Sequence, residues 1–169
     1  AVFVSKLDRE SADFYKVLEQ LKATFGPSVC PLVVPIMEDK KVSCYVDLIR
    51  MKAFRYENGK ATEVPVPQTD HRIDGLIAAI SEAVAETDEE LFEKFFSGEQ
   101  FTHDELVRGV HEGIRTGSLT PVFCGSAQAL EAIDLLLDCI ADFLPAEEEK
   151  AETVGTEADG NPVEIACSA

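Results

Sequence analysis

Two short stretches, far apart in the sequence, carry the residue types of one base-binding site. The first, Ser5-Lys6-Leu7-Asp8, follows the apolar run Ala1-Val2-Phe3-Val4; the second, Gly125-Ser126-Ala127, follows Pro121-Val122-Phe123-Cys124. Each reads as a buried strand running out into a loop, and in a doubly wound α/β sheet ligands sit at the carboxyl ends of the strands. A carboxylate at Asp8 can accept two donors at once, in the strong charge-assisted form. Guanine offers such a pair, its ring N–H and its exocyclic amine, whereas adenine does not. A site built on that bond leaves its own group unpaired against the wrong base, which is costly. Lys6 can lay its methylene stem over a base and keep its charge in water. The backbone N–H of Ala127 can donate to the guanine carbonyl, and the small side chains of Ser126 and Ala127 let the main chain come close. Either stretch alone reads as a solvated turn. Their joint value is that each follows an apolar strand and precedes a helical pattern.

The elements that must position these residues are legible from periodicity. Phe14, Val17, Leu18, Leu21 and Phe25 repeat at helical spacing over about Ser11 to Phe25, and Gly26-Pro27 stops that helix. Cys30 to Ile36 is a short apolar run bounded by prolines. Val42, Cys44, Val46 and Leu48 alternate with polar neighbours as a half-buried strand does. Lys52–Tyr56 and Lys60–Val66 flank Glu57-Asn58-Gly59, and Asn-Gly favours the type I′ turn of a tight hairpin.

Three helices are then predicted. The first spans about Asp70 to Ala85, with Ile73, Ile77, Ile80 and Val84 on one face. The second is capped by Thr87 and Glu90, with Leu91, Phe92, Phe95 and Phe96 inward and Gly98 at its end. The third is capped by Thr102 and Glu105, carries Leu106, Val110 and Ile114, and ends near Gly117. Leu119 to Cys124 is a further strand. Leu130, Ile133, Leu137, Ile140 and Leu144 step along a last helix that Pro145 ends. Ala146 to Asn161 is acidic and poor in large apolar residues, as in a linker, and Pro162 to Ala169 begins another strand.

Composition narrows the function classes. The chain has 169 residues and a formal net charge of −17. That balance argues against phosphate-driven nucleic-acid binding, whose surfaces are basic, and suits solubility or a basic protein partner. Cys30, Cys44, Cys124, Cys139 and Cys167 form no C-x-x-C pair, and four sit in apolar patterns, which reads as reduced, buried thiols in a cytosolic protein. No stretch is apolar enough to cross a membrane, and no secretory signal is visible. His71, His103 and His111 lack metal-ligand spacing and read as surface residues, so no metal site is expected.

The order and spacing of several motifs resemble a known family. Asp8-Arg9-Glu10-Ser11-Ala12-Asp13-Phe14, Pro35-Ile36, Val46-Asp47-Leu48-Ile49-Arg50-Met51-Lys52-Ala53, Phe123-Cys124-Gly125-Ser126-Ala127 and Asp142-Phe143-Leu144-Pro145 follow one another. From Ala1 to about Pro145 the sequence resembles the second half of the GTP-binding domain of bacterial elongation factor G. One position departs: the family's guanine motif reads Asn-Lys-x-Asp, and Ser5 stands where Asn is expected. A serine hydroxyl can donate and accept but is shorter, which points to a divergent paralogue with altered nucleotide binding.

The resemblance implies an α/β fold: a partial P-loop GTPase sheet with a split core, carrying an inserted α/β subdomain of antiparallel strands and about three helices. Residues 1–26 and 119–145 then form the core, 27–118 the insertion, and 146–169 an acidic linker with the start of the next domain. It implies a guanine site at Ser5, Lys6, Asp8, Ser126 and Ala127. No G-x-x-x-x-G-K-[ST] phosphate loop occurs in the sequence, and P-loop GTPases need that loop and a magnesium ion. The chain is therefore expected to be a segment of a longer GTPase, inactive by itself. GTP, GDP and magnesium would be bound by the parent protein, and no catalytic residue is assigned here.

In the family the insertion contacts the stalk protein of the large ribosomal subunit. That makes Glu82, Glu86, Asp88, Glu89 and Glu93 candidate partner contacts, on helix faces that otherwise read as simply solvated. The implied role is in ribosomal translocation, in the cytoplasm. Ribosome recycling, ribosomal protection, or a paralogue that docks on the ribosome with weak or no nucleotide binding are the alternatives.

Overall fold

The computed structural model describes residues 1–39, 41–67, 71–146, 149, 152–158 and 160–166. Along these the chain runs β1 (Val2–Val4), α1 (Phe14–Phe25), β2 (Val29–Pro31), β3 (Val33–Glu38), β4 (Lys41–Asp47), β5 (Lys52–Glu57) and β6 (Lys60–Val64). It continues with α2 (His71–Ala85), α3 (Glu89–Phe96), α4 (His103–Thr116), β7 (Thr120–Cys124), α5 (Ile133–Phe143), β8 (Glu152–Thr156) and β9 (Pro162–Ala166). The architecture is mixed α/β, as the sequence predicts. A parallel sheet has the order β1-β7-β2, an antiparallel sheet the order β3-β4-β5-β6, and β8 pairs with β9. Asp70, Cys167 and the side chain of His71 lie outside the described residues.

Leu32 is where the chain changes sheets. The short apolar run bounded by prolines divides there: Val29–Pro31 pairs with β7, and Val33–Glu38 pairs with β4. Leu32 is fully buried, donates its N–H to Val122 and accepts from Leu48 N–H, so neither backbone group is left unpaired. β2 thus lies in one parallel sheet with β1, which precedes it, and with β7, which comes much later in the sequence.

Local chemistry sets several boundaries. Asp13 caps α1 through Lys16 N–H, which starts the helix at Phe14 rather than at Ser11. Asn58 and Gly59 have φ of 52° and 74°, the left-handed pair that a type I′ turn requires, and Glu57 and Lys60 pair across it. Thr102 and Glu105 form the predicted capping box at α4, and Gly117 closes that helix in the left-handed region.

Four expectations are corrected. Asp88, not Thr87, caps α3: its carboxylate accepts from Glu90 and Leu91 N–H, while the Thr87 hydroxyl turns back to the Val84 carbonyl. In α3 only Leu91 is buried; Phe95 is half-buried, while Phe92 is 47% and Phe96 72% exposed, so these last two, read as inward, face outward. Along α5 the buried face is Leu135, Cys139 and Phe143, and the stripe read from sequence faces solvent at Leu137 and Ile140. Glu152–Thr156, read as linker, is strand β8.

Among the described residues, five helices and the two larger sheets share one core. Ile73, Ile80 and Val84 of α2 meet Leu91 of α3 and Val110 of α4. Gly109 of α4 is a close-approach position, since a Cβ there would stand 2.4 Å from a Val84 methyl. The antiparallel sheet is tied to α5 by charge. Asp47 is fully buried and accepts from Ile49 N–H, Arg50 N–H and the Arg50 guanidinium at 2.5 Å. Arg50 also bonds Asp142 and lies over the Phe143 ring. Burial pushes the thiols of Cys30 and Cys139 up to about 12, so they behave as small apolar groups.

Candidate functional site

β1 and β7 are neighbours in the parallel sheet, in register Val2 with Val122, Phe3 with Phe123 and Val4 with Cys124. They therefore run out at the same end. Gly125 N–H donates to the Val4 carbonyl at 3.1 Å, and Leu7 N–H donates to the Gly125 carbonyl at 3.3 Å. These two bonds extend the ladder past the strand ends and hold the Ser5–Asp8 loop against the Gly125–Ala127 loop. Buried Leu7 anchors the first loop from below.

Lys6 is exposed and takes the left-handed region at φ 65°, a conformation that costs a side-chain-bearing residue about 1–2 kcal/mol. Such strain gathers at functional loops that their surroundings over-determine. The turn is closed by Arg9 N–H on the Lys6 carbonyl.

Asp8 and Ser126 meet directly. The Ser126 hydroxyl donates to Asp8 Oδ1 at 2.6 Å and accepts from Ala129 N–H at 3.1 Å. Ser126 is fully buried and Asp8 keeps a quarter of its side chain in solvent. The Ser126 hydroxyl, ahead of the charges of Arg9 and Lys6, holds the Asp8 carboxyl below the usual carboxylate range. Asp8 is therefore an ionised acceptor at neutral pH, with one oxygen fixed and lone pairs left on both. Ala127 is exposed, and its N–H has no hydrogen-bond partner among the described residues. Ser5 is exposed, and its hydroxyl likewise has none.

A cavity of about 220 Å³ adjoins Asp8, lined by Leu7, Arg9, Glu10, Lys41, Val42 and Glu131 as well. Two larger hollows, of about 600 and 1060 Å³, lie along β4 and beside the start of α1 and do not include Asp8.

Glu131 carries no signal in the sequence. Its backbone exchanges two hydrogen bonds with Ser126, at 2.9 and 3.0 Å, and its side chain accepts from the Tyr45 hydroxyl of β4 at 2.9 Å. Gly125 is required by this arrangement, because a Cβ there would stand 2.4 Å from the Glu131 carbonyl. Nothing in the run Gln128-Ala129-Leu130-Glu131 marks such a role, which depends on a partner 86 residues away.

The acidic candidates sit apart from this site. Glu82, Glu86, Glu89 and Glu93 are exposed on or beside α2 and α3, and Asp88 serves as the α3 cap. Phe92 and Phe96 lie among them with their rings 4.5 Å apart. Of the histidines, His111 pairs with Glu149 at 2.7 Å and His103 approaches the Ile49 carbonyl at 3.4 Å. No helix among the described residues is long and apolar enough to cross a membrane.

An elongation factor G-like protein of Thermotoga maritima is 35% identical over 164 residues, which cover 97% of this chain. This chain matches a segment of an elongation factor G-like protein. It spans about a quarter of that relative, 24% of its length. A crystal structure of a protein from Thermus thermophilus superposes with a TM-score of 0.80 at 36% identity, over 90% of this chain and 23% of the other. No family model matches the chain. The similarity to the elongation factor G-like protein thus extends over nearly the whole of this chain.

Proposed function

We propose that this chain is the base-reading part of a translational GTPase of the elongation factor G-like kind. One observation carries the reading. Asp8 and Ser126, 118 residues apart, share a 2.6 Å hydrogen bond at the carboxyl ends of adjacent parallel strands. An ionised Asp8 fits the two donors on guanine's edge, and the free Ala127 N–H fits its carbonyl oxygen. Lys6, exposed on the same loop, covers the base or ribose, and Ser126 fixes the carboxylate in place. Together these residues select a guanine and supply no group that attacks phosphate. The phosphate loop, the magnesium ligands and the water-orienting residue belong to parts of the parent outside this sequence.

In this reading residues 1–26 and 119–145 are core, 27–118 an insertion, and 146–169 lead to a further domain. The acidic face of α2 and α3, at Glu82, Glu86, Asp88, Glu89 and Glu93, meets the ribosome through a protein of its large-subunit stalk. The work done is movement on the ribosome powered by GTP hydrolysis, in the cytoplasm. Ser5 favours a second version, a docking paralogue with weak nucleotide binding, since its hydroxyl has no partner among the described residues to tie the loop.

The test is equilibrium binding to the parent protein that contains this chain. GDP should bind in strong preference to ADP, and Asp8→Ala should remove most of that preference. Equal binding of the two nucleotides by the unaltered parent would end the base-reading assignment.

A further inference from the structure

Glu131 lies between two residues with left-handed backbone, Leu130 at φ 55° and Ala132 at φ 57°. Neither is glycine, so the Cβ of each is crowded against its own backbone in that region. Ala132 also begins α5 without any side-chain cap. Strain on both flanks of one residue persists only when other contacts fix that residue, and here the contacts are specific. The Glu131 backbone is bonded twice to Ser126, in an isolated antiparallel bridge. The Glu131 carboxylate accepts from Tyr45, which is 1% exposed. Ser126, in turn, donates to Asp8.

We infer that Tyr45, a residue of the antiparallel sheet with no place in the nucleotide loops, is a positioning residue for base recognition, holding Asp8 through Glu131 and Ser126. The inference rests on the base-reading role proposed above. Tyr45 suits the task because it is itself immobile. It pairs with Pro35 on one side and Phe54 on the other, and its ring meets that of Tyr56 edge to face at 5.7 Å. Tyr56 is anchored in the same manner, its hydroxyl donating to Asp134 of α5 at 2.5 Å. Burial first, and then the Glu131 carboxylate, push the Tyr45 phenol above its ordinary range, so it remains a donor at every physiological pH.

A rigid donor at Glu131 fixes the strained turn, the turn fixes the Ser126 hydroxyl, and the hydroxyl fixes one oxygen of Asp8. Two donors on a flat base edge can both be met only by a carboxylate held near the base plane. Loosening the chain therefore harms the second bond, to the exocyclic amine, more than it harms binding in general.

That difference gives the readout. Inosine diphosphate lacks the exocyclic amine but is otherwise GDP. In the parent protein Tyr45→Phe keeps the ring and removes the hydroxyl. GDP affinity should fall about fivefold, the scale of one lost hydrogen bond, with inosine diphosphate affinity nearly unchanged, so that the preference between them narrows. Glu131→Gln, which keeps an acceptor for the Tyr45 hydroxyl, should retain the preference, and Glu131→Ala should narrow it as Tyr45→Phe does. A variant that merely destabilises the fold would weaken both nucleotides alike. Should Tyr45→Phe fail to fold, the Glu131→Gln and Glu131→Ala pair decides alone. An unchanged preference in Tyr45→Phe or in Glu131→Ala overturns the positioning role while leaving base recognition by Asp8 intact. An unaltered parent that shows no preference for GDP over ADP overturns both.

Discussion

The Ser126 hydroxyl donates to Asp8 across 118 residues of sequence, and it is the largest cause of that carboxyl's lowered pKa. The bond is made where two parallel strands end side by side, so strand pairing supplies the proximity and the loops supply the chemistry. Removing the hydroxyl should therefore be visible at Asp8 itself. Ser126→Ala is expected to move the Asp8 carboxyl back toward its ordinary value of 3.8, read by carboxyl-carbon NMR titration. An unmoved Asp8 would mean that the bond is not formed in solution.

Gly125 tests the same loop by volume. Its missing Cβ leaves room for the Glu131 carbonyl, 2.4 Å from where that carbon would sit. Backbone cannot rotate away as a side-chain tip can, so Gly125→Ala should cost about 3 kcal/mol, the upper end of overpacking. Denaturant unfolding checks this, and protection of the Ser126 and Glu131 amides from exchange should fall with it.

Arg50 tests how the antiparallel sheet is held to α5. Asp47 is fully buried and ion-paired with that guanidinium. Arg50→Ala leaves the carboxylate with its two backbone donors alone and removes the bond to Asp142. A loss of about 3 kcal/mol is expected, the low end for a broken buried pair because Arg50 is itself partly exposed. Urea denaturation should detect it, and restoring charge with Arg50→Lys should recover only part, since a lysine cannot bridge both carboxylates as a guanidinium fork does.

Glu105 gives a pH dependence with a defined sign. Its carboxyl is lowered from 4.5 to about 2, first by Lys94 and then by the Thr102 N–H it caps. A carboxyl with a depressed folded value stabilises the fold above its unfolded value and loses that contribution as pH falls through the folded one. The contribution is thus complete above about 4.5 and fades toward about 2. Glu105→Gln should flatten the stability profile across that window and leave its shape near neutral pH unchanged, as followed by thermal melts at stepped pH.

What sequence alone revealed was mostly what is local. Asn58-Gly59 dictates its turn through the backbone preferences of two adjacent residues, and Thr102 with Glu105 caps α4 within four residues. The meeting of Asp8 with Ser126 was legible too, because two apolar runs ending in complementary loops imply neighbouring strand ends. Burial within helices was not. Along α5 two apolar series are offset from one another, and only the packed fold selects Leu135, Cys139 and Phe143 over Leu137 and Ile140. Phe92 and Phe96 lie outward for the same reason, on a helix of eight residues with little room for a second buried row. Asp88 displaced Thr87 as cap by one residue, a choice between two equally suitable side chains. Tyr45 and Glu131 left no sequence signal, since their link joins a strand to a turn across two sheets.

Exchanging the base specificity tests most directly whether Asp8 reads the base. Xanthine carries a carbonyl where guanine carries the exocyclic amine, so an amide in place of the carboxylate matches xanthine and mismatches guanine. In the parent protein, Asp8→Asn should lower GDP affinity by at least about tenfold and raise xanthosine diphosphate affinity by a similar factor. Unchanged GDP binding together with no gain for xanthosine diphosphate would contradict the account.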